Sequence, residues 1–204
     1  MNTRLAAGLI AAVFCAVGCR RQPAVEIFTQ SGPPDHLQQS YWPLPDFSLT
    51  DRNGQMVSLR DLNGKVWVAD FFYSTCPGPC PMLTSRLSEV QKQLGADDRV
   101  RLVSNSADPE KDTPEVLRQY ATKFHASDRW LFLTGSKDAI RDLAQNGFKL
   151  PVAEMPGAAE PITHSTRLVL VDQTGTIRGL YEGVGGDGPG TLVRDIHRLL
   201  ETKP

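Results

Sequence analysis

The sequence predicts an α/β protein, a three-layer sandwich with a central mixed sheet and an N-terminal β-hairpin. Three observations predict it. Short apolar runs alternate with segments whose apolar residues recur at helical spacing. One run, "VWVADFF" (66–72), is almost continuously apolar, as a strand covered on both faces should be. Strand-like sequence surrounds Asn53-Gly54 near the start and Thr174-Gly175 near the end, each a hairpin signal.

The elements follow in order. "FSLTDRNGQMVSL" (47–59) reads as the first hairpin and 66–72 as the central strand. A loop with two cysteines comes next. Leu83, Leu87, Val90 and Leu94 then mark one apolar helix face, with Pro81 suited to the first helical position. "VRLVS" (100–104) is a strand. Thr113 and Pro114 make an N-cap and first position for a helix that buries Val116, Leu117, Tyr120 and Phe124. "WLFLT" (130–134) is a strand, and Ser136 caps a third helix through Ile140, Leu143 and Ala144. A hairpin over 167–181 and a helix from about Thr191, carrying Leu192, Ile196 and Leu199, complete the chain. Right-handed crossovers make the early strands parallel, and the last hairpin adds antiparallel ones. A central strand running into a two-cysteine loop at a helix N-terminus is the thioredoxin-like arrangement.

The 204 residues suit one domain with appendages. Net charge is −1 and no basic stripe appears, so nucleic-acid binding has no electrostatic support. Arg4, the apolar run Leu5 to Val17 and the small residues before Cys19 read as a secretory leader over 1–18, too short for a membrane span. "AVGC" resembles a bacterial lipobox, with Ala16 where Leu is usual, which would make Cys19 a lipidated first residue. An uncleaved signal anchor is the alternative, and both tether the chain outside the cytoplasm. Residues 19–43, with Pro23, Gly32, Pro33 and Pro34, read as a flexible tether, and 44–204 as the folded domain. Cys15 leaves with the leader, so Cys76 and Cys80 remain as thiols where disulfides can form.

In "STCPGPCPM" (74–82) the prolines stiffen the loop and Gly78 lets it turn. The helix N-terminus places N–H groups and partial positive charge near the sulfurs, which favours thiolate. A structural disulfide here would close a loop too short to gain much. A redox couple or a metal site fits better, and three intervening residues suit either. Metal binding needs a further ligand. Of the four histidines, His36 lies in the tether, His125 ends a helix and His197 sits among charged neighbours. His164 stands just before an apolar strand, where a thioredoxin-like fold brings the loop against the cysteines. Two thiolates and an imidazole suit Cu(I) and hold Cu(II) with added ligands, whereas zinc prefers a fourth.

"GKVWVADFFYSTCPGPCPMLTSRLSEVQ", "SADPEKDTPEVLRQYA", "WLFLTG" and "THSTRLVLVDQTGTIRG" together resemble the Sco/SenC family of copper chaperones. The resemblance runs from about Pro45 to the last helix. It implies a thioredoxin-like fold and a membrane tether facing the periplasm or intermembrane space. It also implies delivery of copper to the copper A centre on subunit II of cytochrome c oxidase. By match, Cys76, Cys80 and His164 would hold Cu(I) or Cu(II), and Asp108 would be the acidic residue near the site. A periplasmic copper donor or thiol reductant would serve as a further partner. Ala107, Asn105 and "PVAEMPGAAEP" (151–161) depart from the family pattern, which bears on how the His164 loop is placed. Two rival functions use the same sulfurs: a thiol:disulfide oxidoreductase with Cys76 and Cys80 as its redox-active pair, and a redox or copper sensor. A distant imidazole favours the chaperone, because thiol exchange does not need it. A peroxidase is disfavoured, since neither cysteine has the usual Thr and Arg setting.

Overall fold

β3 (Val66–Phe72) crosses the middle of a seven-stranded sheet, and every one of its residues is buried. The chain is described by a computed structural model over residues 37, 40–154 and 162–202. The other strands of this sheet are β1 (Ser48–Asp51), β2 (Met56–Ser58), β4 (Val100–Ser106), β5 (Trp130–Thr134), β8 (Arg167–Val171) and β9 (Ile177–Glu182). Their order is β2-β1-β5-β4-β3-β8-β9. β3, β4 and β5 are parallel, while the two hairpins add antiparallel strands at the edges.

Among the described residues, four α-helices cover the sheet: α1 (Cys80–Leu94), α2 (Pro114–Lys123), α3 (Lys137–Asp142) and α4 (Gly188–Glu201). Successive residues of a strand point to opposite faces. Phe72 stacks on Tyr120 of α2, with ring centroids 4.9 Å apart. Its neighbour Phe71 meets Phe148, beyond α3, edge-on at 5.5 Å. α2 and the α3 region therefore lie on opposite faces. α1 joins α2 through the Thr84–Tyr120 hydroxyl contact of 3.0 Å, and α4 packs on α1. This is the expected three-layer, thioredoxin-like sandwich.

Several local details differ from the sequence expectation. α1 begins at Cys80, so Pro81 takes the second helical position. β4 continues two residues further, to Ser106, because Asn105 is buried with its Nδ2 donating to Asp70 O at 3.1 Å. Val116 and Phe124 are only half-buried. α4 begins at Gly188, three residues early. A Cβ at Gly188 would sit 1.9 Å from the carbonyl oxygen of Glu182, so glycine permits this close start. After α3 the chain widens into a π-helical turn, Leu143–Gly147. From that turn Gln145 Nε2 donates to Val152 O at 3.0 Å.

That contact supports an unexpected hairpin. β6 (Val152–Glu154) pairs antiparallel with β7 (Ile162–His164) in a sheet of its own, with Val152 opposite His164. Val152 and Ile162 are buried. The short strands flank a Pro/Ala/Gly-rich stretch, so no alternating pattern was long enough to announce them. Residues 155–161 lie outside the described residues.

At the N-terminal side, Tyr41, Trp42 and Leu44 bond to the turn between β8 and β9. Tyr41 N donates to Ile177 O at 3.0 Å and Leu44 N to Gly175 O at 2.9 Å. Leu37 is buried, and its carbonyl accepts from Arg178. This part of the expected tether is attached to the domain. Among the described residues, no helix is long and apolar enough to cross a membrane.

Candidate metal centre

The three expected ligands sit on three different elements. Cys76 belongs to the loop after β3, Cys80 opens α1, and His164 ends β7. Their ligand atoms all lie within 4.8 Å of one another. Both cysteines are free thiols and buried. His164 Nε2 stands 3.0 Å from Cys80 Sγ, and its Nδ1 lies 3.0 Å from the carbonyl of Ser165. A carbonyl only accepts, so Nδ1 carries a proton, and Nε2 is the ring nitrogen that faces the sulfurs. Metal-ligating histidines are commonly oriented in this way. The Tyr73 ring meets the imidazole edge-on at 5.6 Å and limits its rotation.

Burial pushes the Cys80 thiol well above its ordinary range, and Cys76 beside it pushes the same way. Here the structure corrects the expectation of a helix-favoured thiolate. Cys80 is shut from solvent, and desolvation is the largest influence on its thiol. A cation reverses that balance, because a coordinating thiol gives up its proton. The donor set of two sulfurs and one imidazole nitrogen matches a soft ion.

Two buried acids bear on this region. Asp70 lies in β3 with no exposed surface, accepting from Ser104 Oγ at 2.5 Å through Oδ1. Its Oδ2 has no hydrogen-bond partner among the described residues. Burial pushes its pKa up to about 7, against the pull of Ser104. A charged residue inside an apolar strand was the available sequence signal. Asp112, equally buried, accepts from Ser74 N at 3.1 Å and Ser106 Oγ at 2.6 Å through Oδ2. Its Oδ1 accepts from Ser74 Oγ. Burial raises its pKa, and the hydrogen bonds from Ser106 and Ser74 oppose the rise.

Asp108 is placed differently. Its carboxylate pairs with Lys111 Nζ at 3.0 Å, and its carbonyl accepts from Asp112 N at 2.9 Å. It lies outside the three-ligand group. His125 has positive φ after α2, and His197 is exposed on α4. His36 and Cys19 lie outside the described residues.

Comparison with known proteins agrees with this architecture. The SCO1/SenC family model matches residues 38–201. The crystal structure of a SCO1/SenC family lipoprotein from Bacillus anthracis is 33% identical, with TM-score 0.73 over 78% of this chain and 96% of that one. BsSco, a member of the Sco family of cytochrome c oxidase assembly proteins for which a disulfide switch is described, is 32% identical. Its TM-score is 0.71 over 81% of this chain and all of that one. Copper-bound ScoI from Bradyrhizobium japonicum is 26% identical, with TM-score 0.67 over 77% of this chain and 99% of that one. The match over most of the chain, on a fold that assembles two cysteines and a histidine, shows that this protein belongs to the SCO1/SenC family.

Proposed function

We propose that the protein is a copper chaperone, tethered to the membrane on the periplasmic side of a bacterial envelope. It takes one copper ion on Cys76, Cys80 and His164 and delivers it to the copper A centre on subunit II of cytochrome c oxidase. The convergence of the three ligand atoms within 4.8 Å carries this reading. Copper-bound ScoI and the oxidase-assembly role given for BsSco support it from outside the chain. Reduced thiolates bind Cu(I), and the imidazole adds the third donor that also allows Cu(II). A periplasmic copper donor supplies the ion. Asp108 belongs to this reading as the acidic residue near the site.

The tether rests on the leader over 1–18 and on Cys19 as the lipidated residue. The lipoprotein relative from B. anthracis supports it. The part of residues 19–43 before Leu37 would link this anchor to the domain.

A second reading is favoured by a specific observation. Two free, buried thiols stand side by side at a helix N-terminus, and BsSco has a disulfide switch. The protein would then reduce the cysteines of subunit II, Cys76 and Cys80 being oxidised to a disulfide. The deciding experiment is the copper content of the reduced protein after exposure to Cu(I), with and without His164. Stoichiometric loading that weakens in His164→Ala supports the chaperone. Failure to retain copper in either protein, with disulfide reduction intact, favours the oxidoreductase.

A further inference from the structure

Each proposed ligand must be held by something. Cys80 is fixed by α1 and His164 by the β6–β7 ladder and the Ser165 carbonyl. Cys76 lies in no helix or strand. Its amide closes a four-residue turn onto Tyr73 O at 3.2 Å, and the turn needs an outside anchor. Asp112 supplies one. Its carboxylate grips Ser74, the second residue of the turn, by both amide and hydroxyl. The same carboxylate is held by Ser106 Oγ at the end of β4. Its backbone is fixed by Asp108 O, and Ala107 N donates to Phe72 O at 2.7 Å between the two strand ends.

We infer that Asp112 is the positioning residue for Cys76: it holds the Tyr73–Cys76 turn so that the Cys76 sulfur stays within reach of Cys80 and His164. A carboxylate is required because Ser74 N, Ser74 Oγ and Ser106 Oγ all donate, on two different oxygens. An amide of the same shape offers one acceptor oxygen and aims an NH₂ at a donor. The metal side of this inference rests on the copper reading above. The thiol side does not.

The test compares the parent with Asp112→Asn, Ser74→Ala and Thr113→Ala. Thr113→Ala removes the neighbouring N-cap of α2 and serves as a purely structural control. Two readouts are taken on reduced protein: affinity for copper with its Cu(II)–thiolate absorption, and the alkylation rates of Cys76 and Cys80 by iodoacetamide, read separately by mass spectrometry. Asp112→Asn is expected to lose about 10- to 100-fold in copper affinity, as outer partners of metal ligands typically do. Its thiolate band should shift, and Cys76 should alkylate several-fold faster while Cys80 does not. Ser74→Ala should move the same readouts less. Thr113→Ala should leave the band and the Cys76 rate where they are.

An Asp112→Asn protein that matches the parent in affinity, band and Cys76 rate overturns the inference. So does one that merely behaves like Thr113→Ala. Should Asp112→Asn fail to fold, Ser74→Ala decides, and parental values for it overturn the inference. If the parent itself binds no copper, the copper reading fails, and the selective change at Cys76 alone decides the role of Asp112.

Discussion

His164 Nε2 lies 3.0 Å from Cys80 Sγ, although the residues are 84 positions apart in the chain. The imidazole has one nitrogen committed to a backbone carbonyl and the other to the sulfurs. His164→Ala should therefore remove the imidazole donor and leave both thiols. The Cu(II)–thiolate band should weaken strongly or vanish, while exchange with a small disulfide changes little. Absorption titration with Cu(II), alongside a thiol-exchange assay, measures both. An unchanged band would remove His164 from the ligand set.

Oxidation should block the site. A disulfide between Cys76 and Cys80 uses both sulfurs, which must also come together to about 2 Å from a spacing within 4.8 Å. Oxidised protein should retain little copper on a desalting column, and reduction should restore loading. Equal retention in the two states would contradict a two-thiolate site.

Asp70 should make stability depend on pH. Raising its pKa from 3.8 to about 7 makes the ionised side chain about 4 kcal/mol costlier in the fold, as an order of magnitude. Between those values the folded protein keeps a proton that the unfolded chain releases, so stability falls as pH rises through this window. Below it both states are protonated and the penalty disappears. Asp70→Asn should match the parent near pH 4 and exceed it by up to about 4 kcal/mol at pH 8. Urea unfolding at the two pH values checks this. A gap that does not widen with pH would mean that Asp70 is not titrating in the fold.

Gly183→Ala should disturb the approach to the centre. A Cβ there would lie 2.1 Å from Leu83 Cδ1 and 2.4 Å from the carbonyl oxygen of Thr166. Gly183 N donates to that same carbonyl, two residues after His164. The expected loss is about 1–3 kcal/mol, with weaker copper binding, measured by thermal unfolding and titration. Parental values in both would show that the 164–166 segment yields freely.

The order of strands and helices along the chain, the three layers and the cysteine loop were legible because apolar strands and helical periodicity are local properties. The Cys76–Cys80 pair was legible because both lie in one loop. His164 was reachable through fold geometry and family resemblance. The β6–β7 hairpin was not, since its two three-residue strands have too short a pattern around a breaker-rich stretch. In the sequence the family resemblance points to Asp108, four residues before Asp112 in the same motif. Side-chain contacts separate them, Asp112 with Ser74 and Ser106 and Asp108 with Lys111, because both are buried acids in one turn. The Cys80 thiol is a related case: the helix terminus is visible in sequence, whereas the burial that raises the thiol's pKa is not.

The place where Tyr41–Leu44 meets the domain sets a direction. These residues lie at Gly175–Ile177, level with the first residues of β3, whereas the ligands gather beyond its last. Seven strand residues separate the two ends, about 23 Å. In the anchored form proposed above, the chain would enter the domain at the end away from the ligands. Transfer would then take place at a height above the lipid surface. A recipient would have to present its own vacant site at that height and facing downward, or the segment before residue 37 would have to let the whole domain turn over. Shortening that segment should slow transfer while leaving copper binding untouched.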